Sequence, residues 1–351
     1  MIQDAIRTVV EGQHLTAAEA YAVMEQIMSG QATDAQIAAF LTGLRMKGET
    51  VAELTGFAKV MREKVTPVPT RHRVAASLSG TEREMLVDTC GTGGDASGTF
   101  NVSTATAFVV AGAGIPVAKH GNRSVSSLCG SADVIEALGV KLDLPPEKVG
   151  RCIDEVGIGF LFAPLLHKAM RYVMLARREI RIRTVFNILG PLTNPASASA
   201  QVIGVYAGHL AEMMAHVLND LGSFRAFVVH GEDGLDEITV TAGTRIAEIR
   251  DNRVHTYTVR PEDFGLNRAT LKDLQGGSAA DNAQIIRAVL KGEPGPKRDI
   301  VLLNAGAAIA AGGKARDIRE GVKAAAHSIE SGAALGKLER MVEFSQREGT
   351  T

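Results

Sequence analysis

The run Asp88-Thr89-Cys90-Gly91-Thr92-Gly93-Gly94-Asp95-Ala96-Ser97-Gly98-Thr99-Phe100-Asn101-Val102-Ser103-Thr104 offers anion-binding chemistry. Glycine admits positive φ and lets the backbone approach a ligand closely. The unpaired N–H groups at a helix start then point at an anion, with the helix dipole behind them. Gly91, Gly94, Asp95 and Val102 belong to this candidate surface, and Thr99, Asn101, Ser103 and Thr104 add side-chain donors. An ordinary strand-to-helix connection with several glycines has the same composition. The loop also lacks the Gly-Lys-Ser/Thr ending of an ATP-binding loop and the spacing of a dinucleotide fingerprint. Asp95 places a negative charge where such loops avoid one.

A second segment, Lys119-His120-Gly121-Asn122-Arg123-Ser124-Val125-Ser126-Ser127 with Ser131 beyond it, gathers two cations, an amide and several hydroxyls. Gly114-Ile115-Pro116-Val117 ahead of it reads as a short parallel strand, so these groups fall at a strand's C-terminal end, where open α/β sheets bind ligands. A solvated polar loop with a helix cap at Ser131 is the other reading. Taken together, the two loops suit a sugar that carries phosphate and pyrophosphate, with Lys119 as a point charge and Arg123 as a fork donor. The third element is acidic. Phe227-Val228-Val229-His230 reads as a buried strand, followed by Glu232, Asp233, Asp236 and Glu237. Adjacent carboxylates repel unless a cation lies between them, and magnesium accepts carboxylates, water and phosphate oxygens together. An exposed acidic turn fits too. Asp236 and Glu237 lie against apolar Ile238 and are the stronger pair, because Glu232 and Asp233 occupy the turn itself.

The elements that position these groups are legible in part. Three capping boxes, Thr16 with Glu19, Thr33 with Gln36 and Thr50 with Glu53, open helices in the first part of the chain. Ile37, Phe40, Leu41 and Leu44 recur at helical spacing. The pattern breaks at Thr66-Pro67-Val68-Pro69-Thr70, which reads as a hinge between a helical subdomain and an α/β subdomain. The expected architecture is α/β: a small N-terminal helical subdomain (residues 1–66, completed by a helical segment at about 164–183) and a larger part (67–351). That larger part has a mostly parallel central sheet with helices on both faces. Strands are expected at 85–87, 201–206 and 246–250, with 253–259 as a peripheral antiparallel partner. Helices are expected at 210–221, 280–290 and 300–311, and one or two more within 314–347.

Composition narrows the class. The 351 residues exceed the usual single core, 45% are hydrophobic and 22% charged, and the formal net charge is −1. That balance gives no electrostatic case for nucleic acid or an acidic membrane surface as partner. No apolar run reaches the ~20 residues that span a bilayer, and no signal-peptide pattern opens the chain. Cys90, Cys129 and Cys152 suit neither a disulfide framework nor a zinc site, so reduced thiols in a cytoplasm are expected. The arginines at 171, 177, 178, 181 and 183 read as a solvated helix face or a nucleic-acid patch, with Tyr172 the one interleaved aromatic.

Several motifs together carry a resemblance that runs in order over nearly the whole chain. They are Gly91-Thr92-Gly93-Gly94-Asp95, Thr99-Phe100-Asn101-Val102-Ser103-Thr104, Lys119-His120-Gly121-Asn122-Arg123, Gly130-Ser131-Ala132-Asp133, the stretch 183–195, Asp236-Glu237, and Leu303-Asn304-Ala305-Gly306-Ala307. The chain resembles the anthranilate phosphoribosyltransferases, which share their fold with pyrimidine nucleoside phosphorylases. The resemblance implies transfer of phosphoribosyl from phosphoribosyl pyrophosphate to the amine of anthranilate, in tryptophan biosynthesis, by a homodimer joined through the helical part. It implies that Arg177 holds the anthranilate carboxylate, that Asn122 and Gly91 also meet anthranilate, and that Pro164 and His167 line its channel. Ser103, Asp236 and Glu237 would position up to two magnesium ions. Lys119, Asn101 and Ser103 would act on the donor, with His120 shaping the site rather than acting as a base. Arg181 and Ala96 stand where the family usually has glycine, so a changed local backbone is expected there. Two rivals use the same scaffold. A pyrimidine nucleoside phosphorylase is disfavoured by the segment 122–127 and by Arg177. A nucleic-acid-binding relative without turnover should be basic and should have lost the acid pair or the glycine loop.

Overall fold

The structure is a computed structural model and describes residues 1–71, 85–124 and 128–349. Helix α1 (Ile2–Val10) precedes three helices that begin at capping threonines: α2 (Ala17–Met28), α3 (Asp34–Lys47) and α4 (Val51–Lys64). Thr16, Thr33 and Thr50 each accept the N–H three residues on, while Glu19, Gln36 and Glu53 reach back to the cap. Two orphan donors are satisfied at each start. Glu53 does more than cap. Its fully buried carboxylate pairs with Lys47 Nζ at 2.9 Å and accepts the Leu15 N–H at 2.9 Å, fixing the connections around α3.

Among the described residues the sheet has seven strands in the order β3-β2-β1-β4-β5-β6-β7. They are β1 (Val87–Asp88), β2 (Val117–Gly121), β3 (Ile158–Phe162), β4 (Ala200–Gly204), β5 (Arg225–Gly231), β6 (Thr244–Arg250) and β7 (Arg253–Val259). The first five in the spatial order are parallel, and β6 and β7 close one edge in antiparallel register. Period-two alternation divides β4, β5 and β6 between two cores. Phe227 and Val229 face one apolar cluster, while Ala226 and Val228 face the other. The first cluster holds the helices Val102–Gly112 (α5) and Pro296–Ala311; the second runs unbroken from β4, β5 and the helix His209–Asp220 into α1–α4. No helix among the described residues is long and apolar enough to cross a membrane.

Several expectations need correction. The strand expected at 114–117 runs Val117–Gly121, so Lys119 and His120 are strand residues and the loop starts at Asn122. Its register partner is β3, Lys119 opposite Phe160 and His120 opposite Leu161. Neither β3 nor the helix Pro146–Val156 was anticipated, and without them the polar Lys-His pair reads as loop. The strand expected at 85–87 forms at Val87–Asp88 instead. The described part of the expected hinge is stitched down: Thr66 N–H donates to Leu166 O at 2.9 Å and Val68 N–H to Pro195 O at 3.1 Å. Residues 72–84, which follow the hinge, lie outside the described residues. Ala96 and Arg181 both adopt positive φ, 58° and 52°. Each therefore keeps the backbone that glycine favours and carries a side chain on it, in place of the changed path expected.

Candidate active site

The direction in which successive strands are added reverses at β1: β2 and β3 lie on one side of it, β4 and β5 on the other. In an open α/β sheet this switch point leaves a crevice at the strands' carboxyl ends. The glycine loop leaves β1 into that crevice, and α5 begins beyond it at Val102, with Asn101 at the N-cap position but making no capping hydrogen bond. Thr92 N–H donates to Gly204 O at 2.8 Å, tying the loop to the end of β4. Gly204 must be glycine, because a Cβ there would overlap the backbone of Asp236. A Cβ on Gly91 would lie 3.0 Å from Asp236 Oδ2.

The acid pair reaches the loop from β5. Asp236 Oδ2 accepts the Gly93 N–H at 2.9 Å. A small polar cavity is lined by Thr89, Gly91, Ser103, Asp236, Glu237 and Asn304, with Thr106, Val202 and Gly204 completing it. Asp236 is pushed up to about 7, first by burial and then by the Asp95 carboxylate. Glu237 is raised well above the usual carboxylate range by burial and next by Asp236. Both acids are half-buried, so the cleft's water tempers these shifts without reversing them. The donor set is oxygen only, carboxylates beside a hydroxyl, and three acids crowd one another; that chemistry fits a hard divalent cation such as magnesium.

Lys119 approaches from β2. It is almost fully buried, and its Nζ donates to Thr89 O at 3.0 Å and Ser103 Oγ at 3.3 Å. On the other face of β2, His120 and His167 meet Nε2 to Nε2 at 3.1 Å. Burial depresses both, His167 to about 4, so the pair stays neutral and one ring donates to the other. Asp88, fully buried, accepts the His120 N–H at 3.1 Å and Asn194 Nδ2 at 2.7 Å.

Other sequence candidates have different employment. Asn101 donates to Cys129 O at 3.2 Å and accepts from Asn282 at 2.9 Å, so both ends of its amide are committed to neighbouring chain. Arg123 pairs with Asp133 at 2.8 Å and Glu136 at 2.6 Å and does not stand free as an anion donor. Asn122 and Ser131 bond each other across the start of the loop, and Ser124 N–H donates to Asp133 at 3.3 Å. Gly121 is required because a Cβ would meet Ser131 Oγ. Gly94 has φ 79°, and its carbonyl accepts Arg183 Nη2 at 2.6 Å. Asp95 accepts the Ser97 N–H and hydroxyl, and Thr99 lies 3.2 Å from Ser97 Oγ. Val102 and Thr104 are buried in the first turn of α5. Val125, Ser126 and Ser127 lie outside the described residues. Arg177 sits in the helix Met174–Ile180 with its guanidinium 5.4 Å from the Phe186 ring centroid, and burial lowers it. Among the described residues it makes no ion pair. Pro164 is exposed in the turn Ala163–Leu166. Sequence reasoning missed Asp88, Asn194, Arg183 and Asn304 as members of this site. All four fall within stretches it had quoted, but only their partners reveal their work.

Two protein-family models match the chain: the glycosyl transferase family helical bundle domain over residues 3–65 and its a/b domain over 83–335. A relative from Geotalea uraniireducens, anthranilate phosphoribosyltransferase, is 58% identical across 98% of this chain and 99% of its own. The chain belongs to the anthranilate phosphoribosyltransferase family. Among solved structures of that family, the Thermus thermophilus enzyme superposes with a TM-score of 0.89 at 43% identity, covering 98% of this chain and 99% of its own. The Saccharomyces cerevisiae member, in complex with PRPP and Mg, gives 0.87 at 27% identity over 99% and 98%.

Proposed function

We propose that this chain transfers the phosphoribosyl group of phosphoribosyl pyrophosphate to the amine of anthranilate, releasing pyrophosphate, in tryptophan biosynthesis in the cytoplasm. One observation supports the residue assignments: Gly91 of the glycine loop, Ser103 and the Asp236-Glu237 pair line one cavity at the switch point of the sheet, and Lys119 bonds Ser103. The bond from ribose C1 to the pyrophosphate oxygen breaks with its electron pair leaving on pyrophosphate. The anthranilate nitrogen forms the new bond to C1 and then gives up a proton. Loop N–H groups and Lys119 face the charge that grows on the leaving group, where fixed dipoles act most strongly. Asp236, Glu237 and Ser103 would hold up to two magnesium ions, which supply positive charge to the departing diphosphate. Arg177, paired with no carboxylate among the described residues, grips the acceptor's carboxylate bidentately. The neutral His120–His167 pair, with Asn122 and Pro164, lines the acceptor's side and needs to remove no proton before attack, because an aromatic amine is already uncharged. Residues 1–66 with 164–183 form the helical lobe, and Val10 and Met46, large apolar side chains exposed on α1 and α3, belong to a homodimer face.

The decay of anthranilate fluorescence on adding phosphoribosyl pyrophosphate tests this reading. Turnover should require Mg2+; Asp236→Ala should lose at least ~100-fold of it, and Arg177→Ala should raise the anthranilate KM ~10- to 100-fold. Full turnover in EDTA, or rapid release of thymine from thymidine and phosphate instead, would refute it.

A further inference from the structure

The acid pair sits on a loop between two anchors. On one side Asp233 accepts the Leu235 N–H at 3.1 Å and the Thr239 hydroxyl at 2.6 Å, and also holds Thr241. On the other side stands Asn304. Its Oδ1 accepts the Ile238 N–H at 2.9 Å, and its Nδ2 donates to Ile238 O and to Ile300 O, each at 2.9 Å. The N–H and C=O of one residue are gripped by one amide, which fixes the backbone directly after Glu237. No other side chain of this size both donates and accepts in that span.

The grip is rigid because its helix is. Residues 300–311 are buried on every side. Gly306 lets the helix Ile318–Glu330 approach so closely that a Cβ on Gly321 would overlap Gly306 backbone. The loop needs such a hold. It carries two carboxylates on adjacent residues, Asp236 and Glu237, and like charges so close repel.

We propose that Asn304 is a positioning residue that holds the Glu237 carboxylate in register for the divalent cation of the donor substrate. The inference rests on the acid pair being the cation's site. Groups that orient metal ligands from behind change metal affinity ~10- to 100-fold when removed.

The test measures Mn2+ binding by loss of the free-ion electron paramagnetic resonance signal, with phosphoribosyl pyrophosphate present, beside the anthranilate KM. Asn304→Ala removes the grip entirely. Asn304→Ser is the milder variant, because its hydroxyl can still bond the Ile300 carbonyl four residues back and the helix stays satisfied. Ser328→Ala is the control for mere destabilisation: it deletes a buried 2.8 Å bond to Val109 O, toward the far end of α5. Glu237→Gln should weaken Mn2+ binding; if it does not, the acid-pair assignment fails, not the inference alone. Given that it does, both Asn304 variants should weaken Mn2+ binding at least ~10-fold, with the anthranilate KM within about twofold and Ser328→Ala binding Mn2+ normally. Wild-type Mn2+ affinity in folded Asn304→Ser, or an equal loss in Ser328→Ala, would overturn the proposal.

Discussion

At the scale of single residues, Asp236 carries the most testable consequence. Its proton affinity is raised, from an ordinary carboxylate to about 7, by burial and by Asp95. An acid that keeps its proton longer in the folded state than in the unfolded one stabilises the fold at low pH. That contribution is lost as pH climbs from about 4 through 7, because the unfolded chain then binds fewer protons. The ligand-free protein is therefore expected to lose stability across this window, and Asp236→Asn should flatten the slope. The amide oxygen can still accept the Gly93 N–H, so the loop keeps its bond. With the shift discounted for the cleft's water, the variant should gain about 1 kcal/mol or more at pH 8, a few degrees in Tm. Thermal melts in EDTA from pH 4 to 8 check it; a variant that melts below wild type at pH 8 contradicts the account. Which residues come together was legible where type and position agree: Ser103, Asp236 and Glu237 line one cavity, and Lys119 bonds Ser103. Arg123 and Asn101 were read by type alone, and their partners Asp133, Glu136, Cys129 and Asn282 lie in other elements or around a turn that no spacing rule discloses.

At the scale of elements, local signals worked where the physics is local. Capping boxes at Thr16, Thr33 and Thr50 span four residues, and all three form as written. The β-strand Ile158–Phe162 and the true extent of Val117–Gly121 stayed hidden, because their five-residue register forms only when the two pair. A lysine and a histidine inside a parallel strand contradict the apolar run that such strands usually show, and here they are tolerated because each finds a polar partner. The caps also differ in weight in a way the sequence does not announce. Thr16 and Glu19 are exposed, so Thr16→Ala should cost about 1 kcal/mol. Glu53 is 0% exposed and, among the described residues, is the only carboxylate that pairs with Lys47, itself 2% exposed. Glu53→Ala strands a buried ammonium and should cost about 3–5 kcal/mol. Denaturant titration of both variants ranks them; equal costs would show that the buried pair is no more than a cap.

For the whole molecule, the question is whether the helical bundle and the sheet are separate bodies. The apolar cluster of α1–α4 continues without a break through Leu210, Met214, Ala226 and Val228 to the sheet. Arg62 crosses the same boundary: from α4 its Nε donates to Leu192 O at 2.7 Å and its Nη1 to Leu221 O at 3.2 Å. Burial pulls this guanidinium down to about 10, which still leaves it charged at neutral pH. Its two carbonyl partners would be left unsatisfied without it, at about 1–3 kcal/mol each. A continuous core with a buried cross-strut predicts one cooperative unit, so bundle and sheet should open together. Native-state hydrogen exchange followed by peptide mass should therefore give the most protected amides of α4 and of β5 the same opening free energy. Arg62→Met should lower both values and separate them, the α4 amides losing more. An α4 that already opens some 2 kcal/mol more easily than β5 in the wild type would mean that the two parts are hinged bodies.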